Sequence, residues 1–442
     1  VPQATFHFPV GFLWGTATAS HQVEGSNQNN NWARWESEPG RILQGQKAGL
    51  ACDWWGGRWK EDFDRAAETG QNAHRLSIEW SRIQPEPNIW DEDALNYYRL
   101  MVRGLHDRNL MPMITLHHFT DPLWLADMGG WENPETPALF EKYVSKVVSA
   151  LKEYTNLWVT INEPNVYTYS GYLGSAFPPG KNDMSTAFTV MANMIRGHAA
   201  AYRTIHSLQR EARVGIALNY RSFAPSKRYS PADIWLAKFF SANFNASFVN
   251  TLVNGKFSFA FKNQMISEAI KTQDFIGINY YSRDLVAFKP FASKTLFSRL
   301  YYPQGADLSD TGFIANIPDG LFEALKWAHG FGLPMLVTEN GVEDADDDLR
   351  PRYTIEHIHQ VWRAVNFNWP IKGYFHWSLV DNFEWERGWT QRFGLWGLDT
   401  ETQARIRRTS VDVYAAICQE NGIASDMVQK YAPEIFSKLF PV

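Results

Sequence analysis

A chain of 442 residues, 45% hydrophobic and 20% charged with a formal charge of −5, has the make-up of a soluble globular protein with ample material for a core. That balance lacks the basic excess of a nucleic-acid binder, and no apolar run reaches the roughly 18 residues of a membrane span. The opening stretch VPQATFHFPVGFLWG has neither the basic segment nor the apolar core of a signal peptide, so the cytoplasm is the expected compartment. Cys52 and Cys418 are too few for a disulfide framework and are read as reduced thiols, which leaves the Asn245-Ala-Ser sequon without a glycan.

Along the chain, short apolar runs of the kind buried on both faces of a parallel sheet recur at 11–17, 73–79, 112–118, 157–163, 213–219, 274–280, 334–339 and 371–378. Their starts lie roughly 40 to 60 residues apart, which leaves room for a loop and at least one helix in every interval. Between the second and third runs, Asp91 is a plausible N-cap, and Leu95, Tyr98, Met101, Val102 and Leu105 recur at helical spacing before Asn109 stops the pattern. No Pro/Gly/Ser-rich linker or composition shift divides the chain. The expected fold class is therefore α/β, a single (β/α)8 TIM barrel over 1–442 with long βα loops forming the active-site face. A doubly wound open sheet is the alternative, but no GxGxxG follows any run to support it.

In such a barrel the strand C-termini open onto one face, where catalytic groups gather. Taken in order, the ends offer Gln22 and Glu24; Arg75 and Glu79; His117, His118 and Asp121; Asn162 and Glu163; Asn219; Asn279, Tyr280 and Tyr281; Glu339; and Glu384 with Trp385. Glu163 stands before Pro164, which is expected to keep it extended. Glu339 ends the run that Pro334 opens and precedes the turn signal Asn340-Gly341. The adjacent histidines should point to opposite faces, which argues against one shared metal ion. The acidic run 343–348 lacks the glycine and ordered spacing of a calcium loop and is read as solvated. Trp54 and Trp55 fit a core or a rim position equally well.

Aromatic residues make up 15% of the chain, with 19 Trp against 18 Tyr. Most are read as core filling, but Trp377, Trp385, Trp389, Phe393 and Trp396 cluster near suspected strand ends. Flat apolar faces beside carboxylates and amides suit a sugar, whose C–H faces stack while its hydroxyls need fixed donors and acceptors. Two carboxylates in such a pocket, without metal-ligand spacing, point to acid/base or nucleophilic work. Glycoside cleavage uses such a pair about 5–5.5 Å apart for retention and about 6.5–9.5 Å apart for inversion.

The segments WGTATASHQVEG at 14–25, TINEP at 160–164, GINYY at 277–281, VTENG at 337–341 and WSLVDNFEW at 377–385 resemble glycoside hydrolase family 1, the retaining β-glycosidases, in order and over nearly the whole chain. The resemblance implies a (β/α)8 barrel, no cofactor and no metal. By position, it makes Glu163 the general acid/base and Glu339 the nucleophile, with Arg75 and Tyr281 aiming the nucleophile. Asn162 is implied to bond the sugar 2-hydroxyl, and Gln22, His118, Glu384 and Trp385 to grip the other hydroxyls. Trp377 is implied to be the stacking floor, and Asn279 and Phe393 are placed with the substrate-binding residues. Repulsion from Glu339 is expected to raise the pKa of Glu163.

Phe119 and Trp54 depart from residues common in that family and are expected to reshape the pocket wall. Glu384 beside Trp385 argues against a 6-phosphosugar, and Glu at 163 argues for ordinary O-glycosides over thioglucosides. The expected activity is a retaining exo-β-glycosidase, foremost a β-glucosidase with galactosyl or fucosyl tolerance. A transglycosylating enzyme and a catalytically silent sugar-binding barrel are the alternatives. Expected partners are small-molecule β-glycosides and short oligosaccharides, with the aglycone half of the site drawn from 26–52, 165–185 and 282–315.

Overall fold

A computed structural model describes residues 4–292 and 295–441. The eight expected runs form the strands of a closed parallel barrel: Leu13–Ala17, Ala73–Ser77, Met111–His117, Leu157–Asn162, Arg213–Asn219, Phe275–Tyr280, Met335–Asn340 and Ile371–Trp377. Each pairs in parallel with its chain neighbour, and the eighth closes on the first with Tyr374 opposite Trp14. The second, fourth, sixth and seventh strands are buried at every residue. A strand covered on both faces has no solvent side to mark with polar residues, so its sequence runs apolar instead of alternating.

The helix after the second strand, Glu92–His106, shows how the outer layer is specified. Asp91 Oδ1 accepts the Ala94 N–H at 2.8 Å, which satisfies one of the free donors of the first turn. Leu95, Tyr98, Met101, Val102 and Leu105 are all buried against the barrel, as the spacing predicts. Each such side chain contributes about 1.5–3 kcal/mol on leaving water. Just beyond the helix, Asn109 takes a φ of 57°, a left-handed conformation that asparagine tolerates and that ends the run.

The two ends of the chain meet where Thr5–His7 pairs antiparallel with Gly422–Ala424, and Trp14 Nε1 donates to Asn421 Oδ1 at 2.9 Å beside that pairing. At the other end of the barrel, Ser222–Pro225, Arg283–Phe288 and Ser298–Tyr301 form a three-stranded sheet that extends the fifth and sixth strands outward. Trp14, Trp32, Trp54, Trp80, Trp131 and Trp158 are fully buried, in line with core filling. Trp54 is thus core, with Nε1 donating to Asp62 at 2.8 Å, whereas Trp55 is partly buried under the Arg82 guanidinium. Both cysteines are free and buried. Asn245 of the sequon is fully buried, with its amide bonded to the backbone of Arg221. No helix among the described residues is long and apolar enough to cross a membrane.

Candidate active site

Glu163 and Glu339 sit at the C-terminal ends of the fourth and seventh strands, and in both places the strand pairing slips. The register shifts between Val159 and Asn162 against the fifth strand, and between Val337 and Asn340 against the eighth. Such irregularities bend a strand end and re-aim its side chains. Glu163 itself is left-handed, at φ 45° and ψ 57°, which corrects the expectation of an extended residue before Pro164. Proline disfavours the right-handed region for its predecessor but leaves the left-handed one open. The conformation is fixed by the Glu163 N–H bond to Ala217 O at 2.7 Å and by Pro164, which opens the helix Pro164–Tyr172. A non-glycine residue there costs on the order of 1–3 kcal/mol.

Glu339 lies within its strand and is 3% exposed, so the buried carboxylate needs partners. Arg75 Nη1 donates to Oε1 at 2.6 Å and Tyr281 Oη donates to Oε2 at 2.7 Å. The guanidinium is itself fixed by Thr115 Oγ1, Thr338 O and Asn162 Oδ1. Gly341 follows because a Cβ there would stand 2.0 Å from Trp377 O, so the seventh and eighth strand ends can meet only around a glycine. Burial pushes Glu339 above the ordinary carboxylate range, with Arg75 and Tyr281 pulling the other way.

Glu163 forms no ion pair among the described residues, and its partners are neutral amides. Its Oε1 accepts from Asn279 Nδ2 at 2.8 Å and from Asn219 Nδ2 at 2.9 Å. Burial first, and the Glu339 charge second, raise its pKa to about 8. The expected repulsion is present, but desolvation outranks it. The two carboxyl groups are linked through one chain of hydrogen bonds, from Arg75 to Asn162 Oδ1 and from Asn279 Nδ2 to both Asn162 and Glu163.

This network also sets a proton on His118. Asn162 Oδ1 accepts from Arg75 and Asn279, so its other amide atom, Nδ2, is the donor that meets His118 Nε2 at 3.0 Å. Burial and the Arg75 charge hold the imidazole neutral, with a pKa well below the usual value. A neutral ring accepting at Nε2 must carry its hydrogen on Nδ1, which is buried and has no partner in the protein. His118, which lines the cavity, is therefore left with an unpaired donor. His117 points away, bonding Asp121 at 3.0 Å, as expected for adjacent strand residues.

The cavity above the pair encloses about 630 Å³, and His118, Glu163, Tyr281, Glu339, Trp377, Glu384, Trp385 and Phe393 all line it. Trp377 and Trp385 both stack near His118, with ring centres 5.9 Å away in each case. Gln22 lies behind Glu384, donating Nε2 to Phe383 O at 2.7 Å and to Glu384 at 3.2 Å, while its Oε1 has no partner. Burial and the charges of Glu386 and Glu339 push the Glu384 carboxyl well above its usual range. Every site residue implied by the family resemblance thus belongs to the cavity wall or to the hydrogen-bonded layer beneath it.

Other expectations need correction. Trp389 and Trp396 stay outside the cavity: Trp389 caps Lys47 O with its indole N–H, and Trp396 packs beneath Arg407. Trp54 is core, so of the two departures Phe119 alone lines the cavity. Glu24, Glu79 and Asp121 follow strand ends but are structural. Glu24 pairs with Arg82, Glu79 accepts from Ser20, Ser81 and Thr120, and Asp121 accepts from Tyr167. Of the expected segments, 165–185 lines the cavity with Val166, Tyr169, Ser170 and Phe177, and 282–315 with Ser282, Asp284, Leu300, Phe313 and Ile314 among others, but 26–52 does not, and its Trp32 packs behind Trp385 at 4.7 Å. In its place stand Tyr220, Arg221, Phe223, Phe240 and Phe244, none of which carried a sequence signal. Asn219 was visible only as a lone amide at a strand end.

Comparison with known proteins gives one answer over nearly the whole chain. The family model described as Glycosyl hydrolase family 1 matches residues 4–423. Beta-glucosidase A of Thermotoga maritima is 33% identical over 447 residues, covering 94% of this chain and 98% of its own. A beta-galactosidase of Pyrococcus woesei is 30% identical over 505 residues, covering 96% and 99%. Among solved structures, a beta-glycosidase from Pyrococcus horikoshii superposes with a TM-score of 0.90 at 36% identity, covering 97% of this chain and 98% of the other.

Proposed function

Since the chain belongs to glycosyl hydrolase family 1, we propose that its two buried glutamates divide the work of breaking a β-glycosidic bond, Glu339 attacking the sugar and Glu163 managing the proton. The protein is a β-glucosidase-type O-glycoside hydrolase acting with retention, and galactosides fall within the same reading. One observation carries the division of roles: two acids in one cavity stand in opposite electrostatic settings. Glu339 is held by a guanidinium and a phenol, whereas Glu163 is held by two neutral amides and has a pKa of about 8.

In the first step Glu163, still protonated at neutral pH, gives its proton to the leaving oxygen while Glu339 bonds the anomeric carbon. Esterification removes the negative charge of Glu339, which lowers the pKa of Glu163 and turns it into the base for the incoming water. Arg75 and Tyr281 hold one oxygen of Glu339 each and so aim it. His118 Nδ1–H offers a donor, and Gln22 Oε1 and the Glu384 carboxyl oxygens offer acceptors, to the sugar hydroxyls. Trp377, Trp385 and Phe393 offer apolar faces to its ring.

Tyr169, Phe177, Phe223, Phe240 and Phe244 form an apolar outer cavity for the aglycone or for the second sugar of a short oligosaccharide. The chain 1–442 acts in this reading as one catalytic unit, supported by a core cluster that runs from Phe8 to Leu439. Its two free thiols suit the cytoplasm.

Glu163→Ala and Glu339→Ala test the roles separately. Glu163→Ala should lower kcat with an aryl β-glucoside by about 10²–10⁴-fold, the usual worth of a positioned acid/base. Glu339→Ala should lose at least as much and recover partly with azide, giving an α-glycosyl azide because the small anion attacks from the vacated side. Full turnover by either variant, or azide rescue yielding only free sugar, contradicts the assignment.

A further inference from the structure

We propose a calcium site outside the cavity, formed by the carboxylates of Asp310, Asp344 and Asp346, that clamps the outer wall of the cavity to the segment following the seventh strand. The acidic run 343–348 is not the solvated loop its composition suggests. Glu343, Asp344 and Asp347 are buried, and only Asp346 and Asp348 among its acids are exposed. The linear spacing of a calcium loop is absent because one of the three carboxylates comes from elsewhere in the chain.

Asp344 is 1% exposed. Its Oδ2 accepts the N–H groups of Leu349 at 2.9 Å and Arg350 at 2.7 Å, but its Oδ1 is buried without any hydrogen-bond partner. Asp310 arrives from the segment after the sixth strand and is fixed there by the Ala345 N–H, which donates to its Oδ2 at 2.6 Å. One oxygen from each of Asp310, Asp344 and Asp346 lies within 4.8 Å of the others. A buried carboxylate beside two more carboxylates, with one oxygen left without a hydrogen-bond donor, is a place where burial favours a bound cation. The Arg350 charge acts on Asp344 from nearby, but its Nη groups bond Asp347 and the carbonyl oxygens of Asp344 and Arg392, and none bonds the Asp344 carboxylate.

The donors are all carboxylate oxygens, which select a hard cation over zinc or copper. Two exposed members leave room for the waters that complete an irregular shell, and calcium tolerates that geometry better than magnesium does. The position gives the ion a consequence. Glu343, next to Asp344, accepts from the Thr311 N–H and hydroxyl, and Phe313 and Ile314 just beyond line the cavity. An ion bridging Asp310 to Asp344 and Asp346 therefore holds the outer wall in register without touching the reacting groups.

The test uses the full chain after chelator treatment, titrated with calcium chloride by calorimetry and melted with and without the ion at matched ionic strength. One ion per chain should bind with a Kd of about 0.1–1 mM, the range of sites with few protein ligands. Saturation should raise Tm by about 2 °C or more, with magnesium giving less. Asp310→Asn and Asp346→Asn alter exposed side chains and should fold, yet each should weaken binding about tenfold or more and remove the rise in Tm. Absence of saturable binding at about 10 mM calcium, or equal binding by both variants, overturns the proposal. So does a higher Tm of either variant in chelator combined with no response of the parent protein to calcium, which marks a repulsive cluster and no site.

Discussion

At the scale of the residue, Glu163 is the position where local rules are broken. It takes a left-handed backbone, lies buried and is held by two neutral amides. The two amides that hold it, from Asn219 and Asn279, both favour its charged form, so removing one raises its pKa further. Asn219→Ala should therefore move the alkaline limb of kcat/KM from about pH 8 to higher pH, with the acid limb unchanged. A limb that stays in place removes Asn219 from the set of positioning residues. Both glutamates were legible because each ends an apolar run in a distinctive segment. Asn219 was not, because an asparagine at a strand end has many uses and only the fold brings it to Glu163. The tautomer of His118 was equally out of reach, since it depends on an amide fixed from the other side by Arg75.

At the scale of the element, the eight strands were legible to within a residue or two, because parallel strands covered on both faces have little choice of composition. The register slips at the ends of the fourth and seventh strands carry no such signature, yet they turn the two carboxyl groups into the cavity. Gly341→Ala tests this arrangement directly. The added methyl group would meet Trp377 O at 2.0 Å, driving apart the strand ends that carry Glu339 and Trp377. The expected result is a loss of kcat out of proportion to the fall in Tm, and retention of normal kcat in a folded variant would contradict the packing. The loops explain where sequence reading fell short. The length of 26–52 suggests cavity wall, but its Trp32 packs behind Trp385, while the wall is taken by Phe223 from the small outer sheet and by Phe240 and Phe244 from the helical segment that follows it.

At the scale of the whole molecule, burial of acids links activity to stability. Glu163 at about 8 and Glu24 at about 7 both bind a proton more tightly folded than unfolded. Their contribution is complete below the unfolded value near 4.5 and is lost as pH rises through 7 and 8. Buried His74, His198, His357 and His376, all lowered, act in the opposite direction but only below about pH 6.5. Between about pH 6.5 and 8 the Glu163 term alone removes about 1.4 kcal/mol per pH unit. Glu163→Gln abolishes this term, so its Tm should fall less than that of the parent protein across that interval. Equal slopes would place the Glu163 pKa below that window.

The central claim is that two acids meeting across one cavity act in succession on the same sugar carbon, one by bonding it and one by moving the proton. Proton NMR of the reaction with an aryl β-glucoside, recorded before the released glucose can mutarotate, reads this most directly. Two successive displacements predict that β-glucose appears first, with the α-anomer growing in only later. First appearance of α-glucose would mean a single displacement by water and would contradict the roles assigned to Glu339 and Glu163.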